Sequence, residues 1–116
     1  RRISSAASDV YKRQLLSSSK DLIPDQFAFY QPFPNPFNPK TTITFDLPEE
    51  MEVNLNVFDI NGRLVQTLNR SKLRAGNYSF DWEGTDQFGM KVTSGVYFIR
   101  IDAGSFKSIK KTLLVK

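Results

Sequence analysis

Asp81, Glu83 and Asp86 cluster beside Gly84 and Gly89, the kind of acidic, glycine-rich loop that can hold calcium. Calcium takes about six to eight oxygen ligands, and the spacing of an EF-hand loop is absent. Asx-turns and loop solvation account for these residues more cheaply. Asp46 and Asp59 are the candidates for a carboxylate pair on neighbouring strands. The chain has no histidine and no cysteine, which removes the usual general base, the usual nucleophile partner, thiol chemistry and the commonest metal ligand. Tyr78, Trp82 and Tyr97 could form a carbohydrate platform. Strand alternation groups Tyr78 and Trp82 with Phe80, which favours a core role instead. The residues read as a protein that is not an enzyme, with no catalytic residue, no metal and no cofactor.

The elements that must position these residues are strands. Ile43, Phe45 and Leu47 alternate with Thr42, Thr44 and Asp46, and Pro48 ends the run. Val53, Leu55 and Val57 repeat the alternation. Asn61-Gly62 fits the two positive-φ positions of a type I′ turn, with Arg63 to Leu68 returning as the partner strand. Tyr78, Phe80 and Trp82 line the next strand, and Glu83 to Ser94 is a long loop. Val96 to Asp102 follows, with Tyr97, Ile99 and Ile101 inward. After a turn at Ala103-Gly-Ser105, Phe106 to Val115 closes the chain with Ile109, Leu113 and Val115 inward. The expected core comprises Phe45, Leu55, Val57, Phe80, Trp82, Tyr97, Ile99 and Leu113. The fold class is all-β, an Ig-like or fibronectin-like antiparallel sandwich of about seven strands.

Ahead of these strands, Phe27-Ala-Phe29 is a short apolar alternation for a sheet edge. Pro32, Pro34, Pro36 and Pro39 remove four backbone donors, so this stretch runs extended along an edge rather than within a sheet. Phe33 and Phe37 should tuck over the sandwich end. A polyproline ligand is the alternative, but only Pro36 and Pro39 have the spacing.

The net charge of +4 across 116 residues is concentrated at the amino end, where Arg1, Arg2, Lys12 and Arg13 face Asp9 alone. The remainder is close to neutral and offers no electrostatic footprint for nucleic acid. No apolar run approaches the roughly 18 residues of a membrane span, so no transmembrane segment is expected. Residues 4–14 resemble a translated sequencing adapter, and residues 1–14 are read as a non-native artefact to be kept out of fold reasoning. Residues 15–26 read as a flexible linker, polar at Ser17-Ser-Ser-Lys20 and stopped by Pro24. Residues 27–116 form the domain.

Within that domain, five segments carry a resemblance in order. They are Phe33-Pro-Asn-Pro-Phe-Asn-Pro39 with Thr41-Thr-Ile-Thr-Phe45; Val57-Phe-Asp-Ile-Asn-Gly-Arg-Leu-Val65; Ala75-Gly-Asn-Tyr78 through Trp82; Asp86-Gln-Phe-Gly89 with Ser94-Gly-Val-Tyr-Phe98; and Lys110-Lys-Thr-Leu-Leu-Val-Lys116. Together they resemble the C-terminal sorting domain of type IX secretion cargo, and the middle segments resemble the Ig-like domain of flagellar hook-capping proteins. The resemblance implies a module that directs a secreted cargo through the periplasm to the outer cell surface. Its implied partners are the type IX machinery and its sorting peptidase, with the cargo domain upstream of this fragment. The candidate contact residues are Pro34, Asn35, Pro36, Gly95, Lys110, Lys111 and Lys116. Lysines on a terminal strand also deter aggregation, and that is the plainer role for Lys110 and Lys111. Lys116 reads as a true carboxyl end. A structural Ig-like spacer and a carbohydrate-binding accessory module are the alternatives.

Overall fold

The computed structural model describes residues 24–116. The expectations for residues 1–14, and for the linker up to residue 23, lie outside the described residues. The strands, numbered here in chain order, are β1 (Ala28–Phe29), β2 (Thr41–Leu47), β3 (Met51–Phe58), β4 (Leu64–Leu73), β5 (Gly76–Trp82), β6 (Gly95–Ala103) and β7 (Phe106–Leu114). One sheet has the order β1-β2-β5 and the other β4-β3-β6-β7. All the strand pairings are antiparallel, and the described residues contain no helix. The fold is the expected Ig-like β-sandwich.

Period-2 alternation builds both inner faces. Ile43, Phe45 and Leu47 of β2 oppose Val53, Leu55 and Val57 of β3 and Ile99 and Ile101 of β6, all fully buried. Trp82, Phe37, Tyr97 and Leu114 extend this core toward one end. Trp82 packs between Phe37 and Tyr97, with ring centroids 5.4 and 5.1 Å away, and its Nε1 donates to the Thr85 carbonyl at 2.8 Å. A buried indole N–H needs such a partner. Two tyrosines pin corners. Tyr78 donates to the Arg74 carbonyl at 2.7 Å and Tyr97 to the Thr93 carbonyl at 2.6 Å, so each hydroxyl bonds the backbone a few residues upstream.

Three expectations are corrected. The β3–β4 turn is not type I′. The Gly62 N–H donates to the Asp59 carbonyl and the Asp59 N–H to the Arg63 carbonyl, both at 3.0 Å, and Gly62 has φ of 82°. Ile60 and Asn61 therefore occupy the turn, and Gly62 forms the bulge of a three-residue loop. The cause is the Asp59 carboxylate, whose Oδ1 accepts from the Asn61 and Arg63 amides at 2.9 and 3.0 Å.

The second correction is the facing of β7. Thr112 and Leu114 are buried, whereas Ile109, Leu113 and Val115 are exposed. The turn explains this. Ala103 pairs with Phe106, so only Gly104 and Ser105 form the loop, and Ile101 then opposes Ser108. That register places even-numbered residues of β7 inward. Leu113 therefore leaves the expected core, and Phe80 is only half-buried. The third correction is Phe33, which is 77% exposed, while Phe37 is buried as expected.

Candidate functional site

The opening proline segment crosses from one sheet to the other. Phe33 pairs with Thr42 beside β2, its N–H donating to the Thr42 carbonyl at 3.1 Å. The buried Thr41 hydroxyl donates to the Pro34 carbonyl at 2.8 Å. Four residues on from Phe33, the Phe37 N–H donates to the Leu113 carbonyl at 2.9 Å, and the Val115 N–H donates to the Phe37 carbonyl at 3.1 Å. Phe37 thus forms a parallel bridge on the free edge of β7. Between these two anchors, prolines remove donors that no strand needs.

Asn35 completes the junction. Its Nδ2 donates to the Lys111 carbonyl at 3.2 Å, and its Oδ1 accepts from the Leu113 N–H at 3.0 Å. One side-chain amide therefore satisfies two backbone groups of β7, as a neighbouring strand would. Gln31 Nε2 adds a second donor to the Lys111 carbonyl at 2.9 Å. The Thr112 hydroxyl faces Asn35 Oδ1 at 3.5 Å, a long contact that adds little.

Pro34, Asn35, Pro36 and Lys111 are exposed together on this junction. Lys116 lies just beyond it and lines a shallow cleft of about 280 Å³ with Asn38, Pro39, Gly84 and Leu114. Gly95 is the register partner of Leu114. Lys110 stands apart. It is half-buried, shares the inward facing of Thr112 and Leu114, and pairs with Ile99. Sequence reasoning missed Gln31, Thr41 and Thr112. Thr112 could have been found from the two-residue β6–β7 turn, since that length fixes its facing.

Asp46, Asp59, Asp81 and Asp86 are occupied by local structure, and Glu83 is exposed. Asp86 Oδ1 accepts from the Phe88 and Met90 amides at 2.9 and 3.0 Å, which closes the loop around Gly89. No group of three or more potential metal-ligating side chains occurs among the described residues. Asp46 belongs to β2 and accepts from Asn77 Nδ2 at 2.6 Å and from the Tyr30 hydroxyl. The bond to Asp46 raises the Tyr30 pKa above its ordinary value. Asp59 lies in the β3–β4 loop at the end of the other sheet. The Arg63 amide, above all, holds its carboxyl below the usual range. Asp81 is lowered chiefly by the Thr42 hydroxyl, which donates to it at 2.7 Å, with help from Lys40. Trp82 and Tyr97 are buried and Tyr78 is half-buried, so they offer no exposed aromatic platform.

An antiparallel Ig-like sandwich with a β-bridging proline segment defines the class of protein. The FlgD Ig-like domain family matches residues 35–105, more than half of the chain, and the chain belongs to that family. The match ends before β7 begins. The basal-body rod modification protein FlgD of Salmonella typhimurium is 39% identical over 54 residues, covering 47% of this chain and 23% of that protein. The chain thus spans under a quarter of that relative's length. FlgD from P. aeruginosa superposes with a TM-score of 0.51 at 26% identity, covering 64% of this chain and 60% of that one. Latent dimeric PorU from Porphyromonas gingivalis gives a TM-score of 0.61 at 23% identity over 77% of this chain and 9% of that one. PorZ of the same organism, a surface component of the type IX secretion system, gives 0.53 at 18% identity over 77% of this chain and 12% of that one. At these identities PorU and PorZ share the fold.

Proposed function

We propose that this domain is a non-catalytic sorting module that directs a secreted cargo through the type IX secretion system to the cell surface. One observation carries the reading. The Asn35 side chain joins the opening Pro-Asn-Pro segment to the last strand, bonding both Lys111 and Leu113. The two segments whose sequences resemble the ends of type IX sorting domains thus form one exposed surface. The β7 part of that surface lies wholly beyond residue 105, where the match to the FlgD Ig-like family stops. The fold shared with PorZ supports the same reading. In it, Pro34, Asn35, Pro36, Gly95, Lys111 and Lys116 lie at the contact with the export machinery and its peptidase, and Lys110 serves from the inward side of the strand.

A second reading is an Ig-like spacer retained on a mature extracellular protein. The 39% identity over 54 residues to FlgD, a basal-body rod modification protein, favours it. The test fuses a Sec signal and a periplasm-competent fluorescent reporter ahead of this chain in a type IX-competent host. Protease-accessible reporter on the surface is expected, with periplasmic retention when the type IX translocon is deleted. Lys111→Ala combined with Lys116→Ala should slow export while leaving the fold intact, because both side chains are exposed. A folded wild-type fusion that stays in the periplasm would leave the spacer reading standing.

A further inference from the structure

The junction does not use the Asp59-Ile-Asn-Gly-Arg63 turn, and of the segment that leads into β6 it uses Gly95 alone. The turn and that segment converge on one cleft of about 460 Å³, within the size range of ligand pockets. Arg63 enters it from the β3–β4 turn and Lys91 from the loop before β6. Asp59, the one acidic residue lining the cleft, pairs with Arg63, which leaves the lining with one net positive charge. Asp59 Oδ1 is filled by two turn amides, and its Oδ2 accepts from Arg63 Nε at 3.2 Å. That leaves the terminal guanidinium nitrogens of Arg63 outside the pair. Lys91 has no ion pair among the described residues. The low pKa of Asp59 agrees with a carboxylate already committed to the turn.

The wall between the cations is apolar, formed by Ile60, Val65, Val92 and Val96. Thr93 and Ser94 stand outside the strands, and among the described residues their N–H groups have no backbone partner. A ligand suited to this cleft brings a carboxylate to Arg63 and Lys91, aliphatic groups to the wall, and backbone-like acceptors to Thr93 and Ser94.

We propose that this cleft binds a short extended peptide segment carrying an acidic residue flanked by aliphatic ones. The cleft shares Gly95 with the proposed export surface, but Arg63 and the aliphatic wall lie outside that surface, so loss of peptide binding in Arg63→Gln does not decide the sorting reading. An acidic sugar offers the same carboxylate but little to occupy the aliphatic wall.

The test is titration of the ¹⁵N-labelled chain with acetyl-Ala-Val-Glu-Val-Ala-amide, with its Gln counterpart, and with glucuronate. The Glu peptide should shift the Arg63, Lys91 and Thr93–Val96 amides with a Kd on the order of 1 mM, as one charge-assisted contact set permits. The Gln peptide should bind at least about fivefold more weakly, as should Lys91→Gln and Arg63→Gln proteins whose spectra remain dispersed. Lys91→Gln leaves the Asp59 turn untouched, so it keeps the test independent of folding. Raising salt from about 50 to 300 mM should weaken binding further. Equal binding of the Glu and Gln peptides, glucuronate binding as tightly as the Glu peptide, or no shifts in these amides at 5 mM peptide (about five times the expected Kd) would overturn the assignment.

Discussion

The two lateral edges of the four-stranded sheet are finished by different means. At β7 the edge is paired. Phe27 stacks on Phe106 at 4.7 Å, Asn35 and Gln31 bond Lys111 and Leu113, and Phe37 bridges Leu113 and Val115. At β4 the edge is distorted and charged. Its register against β3 shifts at two points, which bulge out Val65 and Leu68 and twist the strand. The Gln87 N–H caps the Val65 carbonyl at 2.9 Å, and beyond it Arg70 and Lys72 stand exposed. Pairing and distortion both stop one sheet from growing onto another. Only pairing also builds a surface from two distant parts of the chain.

Lysines 110 and 111 therefore have a different setting from the one edge protection implies. The backbone beside Lys111 is already bonded by two side chains, so its ammonium is not needed to block a strand there. The charged residues that fit that role are on β4.

The most damaging change to the paired edge is Phe37→Ala. The side chain is 1% exposed and packs on Trp82, and a buried Phe truncated to Ala costs about 3–5 kcal/mol. Chemical denaturation should show that loss. Amide exchange at Val115, whose N–H bonds Phe37, should accelerate beyond what the global loss explains. A cost below about 1 kcal/mol would mean that the bridge is peripheral to the fold.

Gly84→Ala attacks the same end from the loop. Gly84 has φ of 71°, and a Cβ there would lie 3.2 Å from Leu114 Cδ2. Backbone strain and overpacking together should cost about 1–3 kcal/mol. Gly62→Ala is the control, since φ is 82° but no atom lies within 4 Å of its added Cβ. The difference between the two melting temperatures reads the packing part alone.

Asn35→Ala removes both bonds of the junction and should cost about 1–2 kcal/mol. Asn35→Asp is the sharper probe. It can still accept from Leu113 N–H, but it sets a second acceptor against the Lys111 carbonyl. It should therefore be no more stable than the Ala variant, measured at neutral pH.

The strand pattern and the inner faces of β2, β3, β5 and β6 were legible because apolar and polar residues alternate along most of β2, β3 and β5 and over Ile99–Asp102 of β6. The facing of β7 was not, since Ile109, Leu113 and Val115 are apolar yet point outward while Thr112 points in. Composition misled where turn length decided. The β3–β4 turn was misread for a related reason, as Asn61-Gly62 suits type I′ but the Asp59 carboxylate recruits two amides into a longer loop. The Pro-Asn-Pro segment was legible as an edge element. Its partner was not, because the bonds from Asn35 span more than 70 residues, and one chain's pattern carries no information on such pairing.

Acid separates the turn from the junction. Asp59 and Asp81 have folded pKa values below their ordinary 3.8. Their contribution is present above that unfolded value and is lost as pH falls through the lower folded values. Stability should therefore hold from neutral pH to about 5 and decline below 4. An Asp59→Asn protein should show a shallower decline, whereas Asn35→Ala should follow the wild-type slope, since no carboxylate takes part in the junction bonds. Parallel slopes for wild type and Asp59→Asn would remove Asp59 from this account.

The smallest thermodynamic effect tests the comparison most directly, because the same kind of change is made on both edges. Lys111→Thr removes a cation from the paired edge, and Arg70→Thr with Lys72→Thr removes two from the distorted one. Threonine suits a strand, and exposed substitutions of this kind stay within about 0.5 kcal/mol. Both proteins should therefore melt close to wild type. Their association should differ. The β7 backbone remains held by Asn35, Gln31 and Phe37 whatever residue 111 carries, so Lys111→Thr should stay monomeric in light scattering at high concentration. Beyond Val65 the β4 backbone is bonded by side chains of its own strand, Gln66 to the Thr67 N–H and Asn69 to the Ser71 carbonyl; among the described residues no backbone outside the sheet bonds it there, so it relies on charge and bulges. Losing both cations should raise its tendency to associate, most visibly at high salt, where the remaining repulsion is screened. If Lys111→Thr associates and the β4 variant does not, charge guards the edge that pairing was said to close, and the contrast between the two edges is wrong.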